Sequence, residues 1–472
     1  MSDAKEIKFS LKVMINKKKN KVLFAEADSD FIDVLISFLT LPLGTIVRVL
    51  KKHYEDELHG APFNIGSLTT LYNGLSNLDN VHFWTEGCKD VLLNPKSSFE
   101  AECLKLKLDI SETQPIGYFI CKNNACKAYQ ARRFPCLSIY YDTVTCCCGV
   151  KMKRELGQKE SQANEDAGGV FTNNAVPFII SDDLRILPNM KGYVQTLRDL
   201  DVTYTNGAEL RNVSFGFNET MDLLKGSLLS RTPLTDLILN KSPRLILYEP
   251  GVLPLQVENE ATSKFEKMNL KVILQKSNNK LLFAQAENDF VDFLFSFLAI
   301  PLGGVECLLG SNTCLTSIDN LYKSVADFIE DKYLSTAGTK NMLMNPRLHH
   351  GYISENQILP LSETSLSSNY THAWGTIKFS SINFVKGQGK YVRGPRMYKI
   401  NDDLTVTPFC MSSTVSILEC LKIPLSDIDE MELKVGLEEA LSILKASLIS
   451  TSALTDGLII DQMLKKQPKQ ED

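Results

Sequence analysis

Six histidines and two tryptophans in 472 residues leave little raw material for the commoner catalytic centres. Apolar runs are short as well. The longest, Phe31 to Leu43, is broken by Asp33, Ser37 and Pro42, and falls well below the roughly 20 residues that span a bilayer. The N-terminus MSDAKEIKFSLKV is charged where a secretory signal would be apolar. Together these absences predict a cytoplasmic or nuclear protein with no signal peptide and no membrane insertion. A basic surplus is also missing: the formal net charge is −5, which argues against a chain whose main task is wrapping nucleic acid. Walker A, dinucleotide-binding glycines, Gly-x-Ser-x-Gly and His-Glu-x-x-His are all absent, so no established catalytic type is expected.

An internal repeat dominates what is present. LKVMINKKKNKVLFAEADSDFIDVLISFLTLPLGTIVRVL (11–50) aligns without a gap, at an offset of 259, on LKVILQKSNNKLLFAQAENDFVDFLFSFLAIPLGGVECLL (270–309). About half of the positions are identical, which chance does not produce. Ser67-Leu68 then faces Ser317-Ile318, Leu93-Asn94-Pro95 faces Met344-Asn345-Pro346, and Asp182-Asp183-Leu184 faces Asp402-Asp403-Leu404. LLKGSLLSRTPLTDLIL (223–239) finally matches the block beginning at Ile443, by which point the offset has fallen to 220. The first copy therefore carries the longer middle. These matches predict modules at 8–245 and 266–468, a linker at 246–265, and a Cys-rich insert near 116–155.

The expected fold class is α+β: in each of two tandem copies, a β-hairpin followed by amphipathic helices. Leu11-x-Val13-x-Ile15 alternates as a half-buried strand does, and Val22–Glu26 follows a polar turn to pair with it. Ser29 and Asn288 sit where helix N-caps belong. In the helix behind Ser29 the polar residues Asp30, Asp33, Ser37 and Thr40 form one narrow stripe, expected to be the only face that meets water. Asp30/Asp33 and Asp289/Asp292 are then solvated carboxylates at a helix N-terminus, and the repeated Leu-Thr-Asp at 234–236 and 454–456 caps a following element.

Half of the cysteines fall between 121 and 148: Cys121, Cys126, Cys136, Cys146, Cys147 and Cys148. Zinc takes four soft ligands, commonly as two short-spaced pairs brought together by a loop. Cys121 with Cys126 is one such pair and Cys146 with Cys148 the other, with Cys136 in reserve. Cys147 is expected to diverge, since adjacent side chains of an extended segment point opposite ways. The alternative is that these are buried or idle thiols. Zinc here would be structural, because four cysteines leave no position for a catalytic water.

KVLFAEADSDFIDVLISFLTLPLG, LLKGSLLSRTPLTD and the doubling of both resemble a plant-specific family known as domain of unknown function 674. The resemblance covers nearly the whole chain and implies a plant protein from a multi-copy family, with no reaction attached. Its members often carry Cys-Pro-Cys-Gly where this chain has Cys146-Cys147-Cys148-Gly149.

Two further stretches are candidates for chemistry. Lys386–Lys399 holds Lys386, Lys390, Arg393, Arg396 and Lys399 with two tyrosines and no acid, a mix that can grip phosphates and stack bases. His349-His350 has no Cys or acidic partner at ligand spacing and is expected in a surface loop. The reading that results is a non-catalytic protein-interaction or scaffolding protein. Nucleic-acid association through the cysteine element and the basic loop is the alternative, and an enzyme of unrecognised type comes third.

Overall fold

The structure, a computed structural model, describes residues 7–55, 64–123, 126, 136–156, 169–190, 192–200, 202, 206–239, 267–355, 357–365, 369–372, 375–378 and 381–459. The expected linker at 246–265 lies outside the described residues. In chain order the strands are β1 (Phe9–Asn16), β2 (Lys21–Ala27), β3 (Tyr118–Cys121), β4 (Cys136–Leu137), β5 (Met152–Leu156), β6 (Phe178–Ser181), β7 (Ile186–Pro188) and β8 (Ala208–Phe215). They continue with β9 (Met268–Gln275), β10 (Lys280–Glu287), β11 (Asn369–His372), β12 (Gly375–Lys378), β13 (Ser381–Ile382), β14 (Met397–Ile400), β15 (Val406–Pro408) and β16 (Ile428–Val435). This is a mixed α/β architecture with several sheets.

Two five-stranded antiparallel sheets carry the fold. One runs β7-β6-β2-β1-β8 and the other β15-β14-β10-β9-β16. Alternation in β1 reads out as expected: Phe9, Leu11, Val13 and Ile15 are buried while Ser10 and Lys12 are exposed. Asn20 and Asn279, at φ +47° and +55°, turn the two hairpins in the left-handed region that asparagine tolerates. Behind each hairpin comes an almost wholly buried helix, Ser29–Ser37 and Asn288–Ser296. The first is capped one residue earlier than expected, by Asp28, whose Oδ1 accepts from Phe31 N at 3.0 Å. Most of the expected wet stripe is dry: Asp33, Ser37 and Thr40 are buried, and of the four Asp30 alone reaches water, paired there with Lys107 at 3.0 Å. Ser37 and Thr40 donate to carbonyls one turn back, so their hydroxyls need no water.

The segments that follow the two buried helices meet at Pro42 and Pro301, which face each other as an isolated antiparallel bridge. Leu43 N donates to Ile300 O and Leu302 N to Leu41 O, each at 2.9 Å, so the contact is self-complementary at the 259-residue offset. Approach is close enough that a side chain would be tight on both sides. A Cβ at Gly44 would lie 3.0 Å from Leu298 O, and one at Gly303 would lie 3.1 Å from Leu39 O.

Each half also lends a helix to the other. Helix Leu68–Asn77 leaves the first half and packs on β15 and helix Asn288–Ser296, while helix Thr316–Asp327 packs on β7 and helices Ser29–Ser37 and Phe217–Leu229. The bonds that fix them are matched. Ser67 Oγ donates to Ser450 O at 2.6 Å, and Ser317 Oγ to Ser230 O at 3.2 Å. Phe83 bridges Val392, and Leu334 bridges Thr172. One continuous apolar core therefore runs from Phe9 to Ile459. Among the described residues no helix is long and apolar enough to cross a membrane.

Candidate metal centre

The cysteine lobe is built on β3, β4 and β5. β3 pairs antiparallel with β5, and β4 pairs in parallel with β13 of the second half. Cys121 closes β3 opposite Met152, and the chain turns back at once, with Cys126 N donating to Asn123 O at 3.0 Å. On the other side Cys146 N donates to Val150 O and Gly149 N to Cys146 O, both at 2.9 Å, folding 146–149 into a tight turn. Gly149 takes φ +81°, a conformation that side chains resist.

These two turns bring Cys121, Cys126, Cys146 and Cys148 together, every sulfur within 4.8 Å of the others. Cys121 and Cys148 are 3.4 Å apart and Cys126 and Cys146 3.5 Å. Four sulfurs at about 2.3 Å from a common zinc stand about 3.8 Å from one another, so the arrangement fits a tetrahedral ion. It does not fit disulfides, whose sulfurs bond at about 2.05 Å, and all twelve cysteines are free. Asn123 N points at Cys121 Sγ from 3.4 Å, the kind of N–H that steadies a metal-bound thiolate. Burial pushes the Cys121 and Cys146 thiols up. Cys148, exposed and facing the Val150 N–H, is held down to about 7. Met152 floors the group, fully buried. The cluster is thus able to hold a metal ion. Cys147 is exposed, yet its sulfur stays 3.7 Å from that of Cys146, because the segment is a turn and not the extended strand that would send it away.

The other candidates fall apart in space or turn out to hold the fold. Lys386 turns inward and donates to Ile353 O, which removes it from any polyanion surface. Arg396 is tied to Val81 O and to His82 Nδ1, and the Arg393 guanidinium sits 5.8 Å over the Trp84 ring. Lys399 lies on β14 opposite Gln285, and Lys390 is half-buried beside the Gly387 turn. His349 is buried, not in a surface loop, and desolvation beside Lys96 lowers it to about 4.

Asp33 and Asp292, expected to be solvated, are 2% and 1% exposed. Asp33 accepts from Val170 N, Phe171 N, Thr172 N and Thr172 Oγ1, and Asp292 from Tyr391 N, Val392 N and Ser354 Oγ. Each carboxylate pins the segment that receives the bridge from the other half. The two repeated motifs Asp-Asp-Leu and Leu-Thr-Asp form one unit. Asp182 accepts from Thr235 N and Oγ1, and Asp402 from Thr455 N and Oγ1, all at 2.8 Å. Missed by sequence reasoning is Glu306, fully buried beside Thr313 and Asp319; a single Glu inside an apolar run carries no local signal.

Burial raises Asp33 and Asp292 to about 6 from 3.8, against the opposing pull of their donors. A raised native value means that the stability each confers is complete below about pH 4 and is lost as pH rises through 6. The loss is about 3 kcal/mol each for a shift of some two pH units. Asp33→Asn, which does not titrate, is therefore expected to be most destabilised relative to wild type near pH 4, with the gap narrowing by pH 7. Denaturant unfolding of both proteins at pH 4, 5.5 and 7 measures it. A gap that widens with pH would mean that the donors hold the carboxylate ionised throughout.

A mixed α/β chain with two like-ordered sheets and a cysteine lobe able to take a metal defines the class of protein. The chain belongs to the family described as Protein of unknown function (DUF674), whose model matches residues 5–436 and again 385–472. No curated protein and no solved structure matches it.

Proposed function

We propose that the chain is a non-catalytic scaffold of the cytosol or nucleus that presents an apolar helix edge to a protein partner. In this reading residues 8–245 and 266–468 are two copies of one α+β module. They are completed by each other's helices, and the insert of the first is held by structural zinc on Cys121, Cys126, Cys146 and Cys148. The like strand orders and the matched bonds between corresponding residues support the duplication. Four thiolates satisfy zinc's tetrahedron and leave no open position, which supports a structural role.

The observation that carries the interaction reading is helix Met411–Cys420. Its apolar stripe is wider than the face the fold covers: Thr414 and Leu418 are buried, while Met411 and Val415 are 68% and 56% exposed. Leu421 and Leu425, just beyond the helix, are 54% and 79% exposed. Large apolar side chains left exposed along one short segment mark docking sites, and a protein partner with its own apolar face matches them better than a phosphate backbone does. Nucleic acid has less support, since the basic side chains of 386–399 are spread over internal contacts.

The test compares the full chain with Met411→Glu/Val415→Glu as bait on plant extract, each with nuclease and, separately, with a chelator. A discrete protein retained by wild type, insensitive to nuclease and lost with the correctly folded variant, is the expected result. Equal retention by both baits, or retention that nuclease abolishes, overturns it.

A further inference from the structure

The four-cysteine group does not take in every cysteine of the lobe. Cys136, at the start of β4, and Cys147, in the 146–149 turn, form a second group with Cys146, the three sulfurs again within 4.8 Å of one another. Cys146 belongs to both groups. Its sulfur lies 3.5 Å from Cys126 on one side and 3.7 Å from Cys147 on the other, and its side chain is buried between them. A thiolate sulfur keeps spare lone pairs after binding one metal ion, and a cysteine so placed is geometrically a bridge.

We propose that the lobe holds a second soft metal ion on Cys136, Cys146 and Cys147, with Cys146 bridging it to the ion of the four-cysteine site. The inference rests on the zinc reading above, because Cys146 must already be a ligand there. Three thiolates select the same class of soft, thiolate-seeking ions as four do, zinc or Cu(I) among them. For a four-coordinate ion such as zinc they leave one position, to be filled by water or a small anion. Charge does not oppose a second divalent ion. One divalent ion on four thiolates leaves a net charge of two minus, and two divalent ions on six thiolates leave the same. Binding converts the Cys136 and Cys147 thiols to thiolates and releases their protons, so occupancy rises with pH. The exposed Cys147 gives the incoming ion a path that the buried Cys126 does not.

The full chain, purified reduced and metal-free, is titrated with Cd²⁺ and with Zn²⁺ and weighed by native mass spectrometry. Two ions per chain are expected, falling to one in Cys147→Ser and in Cys136→Ser. With ¹¹³Cd, wild type should give two mutually coupled resonances and each variant one. Cys147 is exposed, so its variant carries the test even if Cys136→Ser fails to fold. A single ion in wild type, unchanged by either variant, overturns the second site and leaves the four-cysteine reading standing. Two uncoupled ions, insensitive to both variants, place the second elsewhere and also overturn it. No ion at all removes both readings together.

Discussion

On the structural-zinc reading proposed above, serine at Cys121 and Cys148 together is expected to abolish metal binding at the four-cysteine site and to unfold the lobe while both large sheets survive. Structural zinc bound by thiolates is worth about 10–16 kcal/mol in small peptides. The strands here are short, β3 with four residues, β4 with two and β5 with five, although Ile139, Tyr140 and Val144 reach the main core. The apolar cluster around the thiols is correspondingly small, with Met152 and Phe119 as its main neighbours. Serine is a poor ligand for zinc and would keep the shape of the site without its affinity. The measurements are metal content of the purified protein and amide hydrogen exchange across 136–156, set beside exchange in β1 and β9. Loss of zinc with loss of protection confined to the lobe is the expected pattern. Full protection of 136–156 in the metal-free variant would leave these residues as plain buried cysteines.

A chain ending at residue 245 is expected to give no folded monomer. Its sheet would lack helix Thr316–Asp327, which packs on β7 and helix Phe217–Leu229. It would also lose Ser324 Oγ, which accepts from Ile186 N at 2.9 Å, and Tyr333 O, which accepts from Asn173 N at 2.9 Å. Its own helix Leu68–Asn77 would lose the part of its cover that β15 and helix Asn288–Ser296 supply. Exposing that much apolar surface forfeits more than the few kcal/mol by which domains are stable. Two such fragments can complete each other as the two halves of the full chain do, so a homodimer or an aggregate is what size-exclusion chromatography with light scattering should find. A cooperatively folded monomer of residues 1–245 would show that each half can recapture its own helix.

The sequence alone determined a good deal. Equal offsets fixed which residues correspond, so Asn20 pairs with Asn279 and Pro42 with Pro301 before any coordinate is known. Period-two alternation placed Leu11, Val13 and Ile15 on the buried face of β1, because a strand's side chains can only alternate. Clustering of thiols pointed to Cys121, Cys126, Cys146 and Cys148, because short-range spacing limits which sulfurs can meet.

Tertiary structure decided the rest. A hydrophobic pattern says that helix Leu68–Asn77 must be covered, but not by which segment, and the covering sheet turned out to lie more than 300 residues away. Asp33 at i+3 from Asp30 reads the same whether water or a ring of backbone N–H groups solvates it. Only the loop at 170–172, arriving from far along the chain, made it a buried anchor. Lys386 has the composition of a phosphate contact and became an internal bond when Ile353 O came within reach. Cys147 stayed beside Cys146 because 146–149 closed into a turn, held by the pairing of Val144–Cys146 with Val150–Met152, which four letters of sequence do not contain. In each case the chemistry of the residue was legible and its partner was not, since partners are set by contacts distant along the chain.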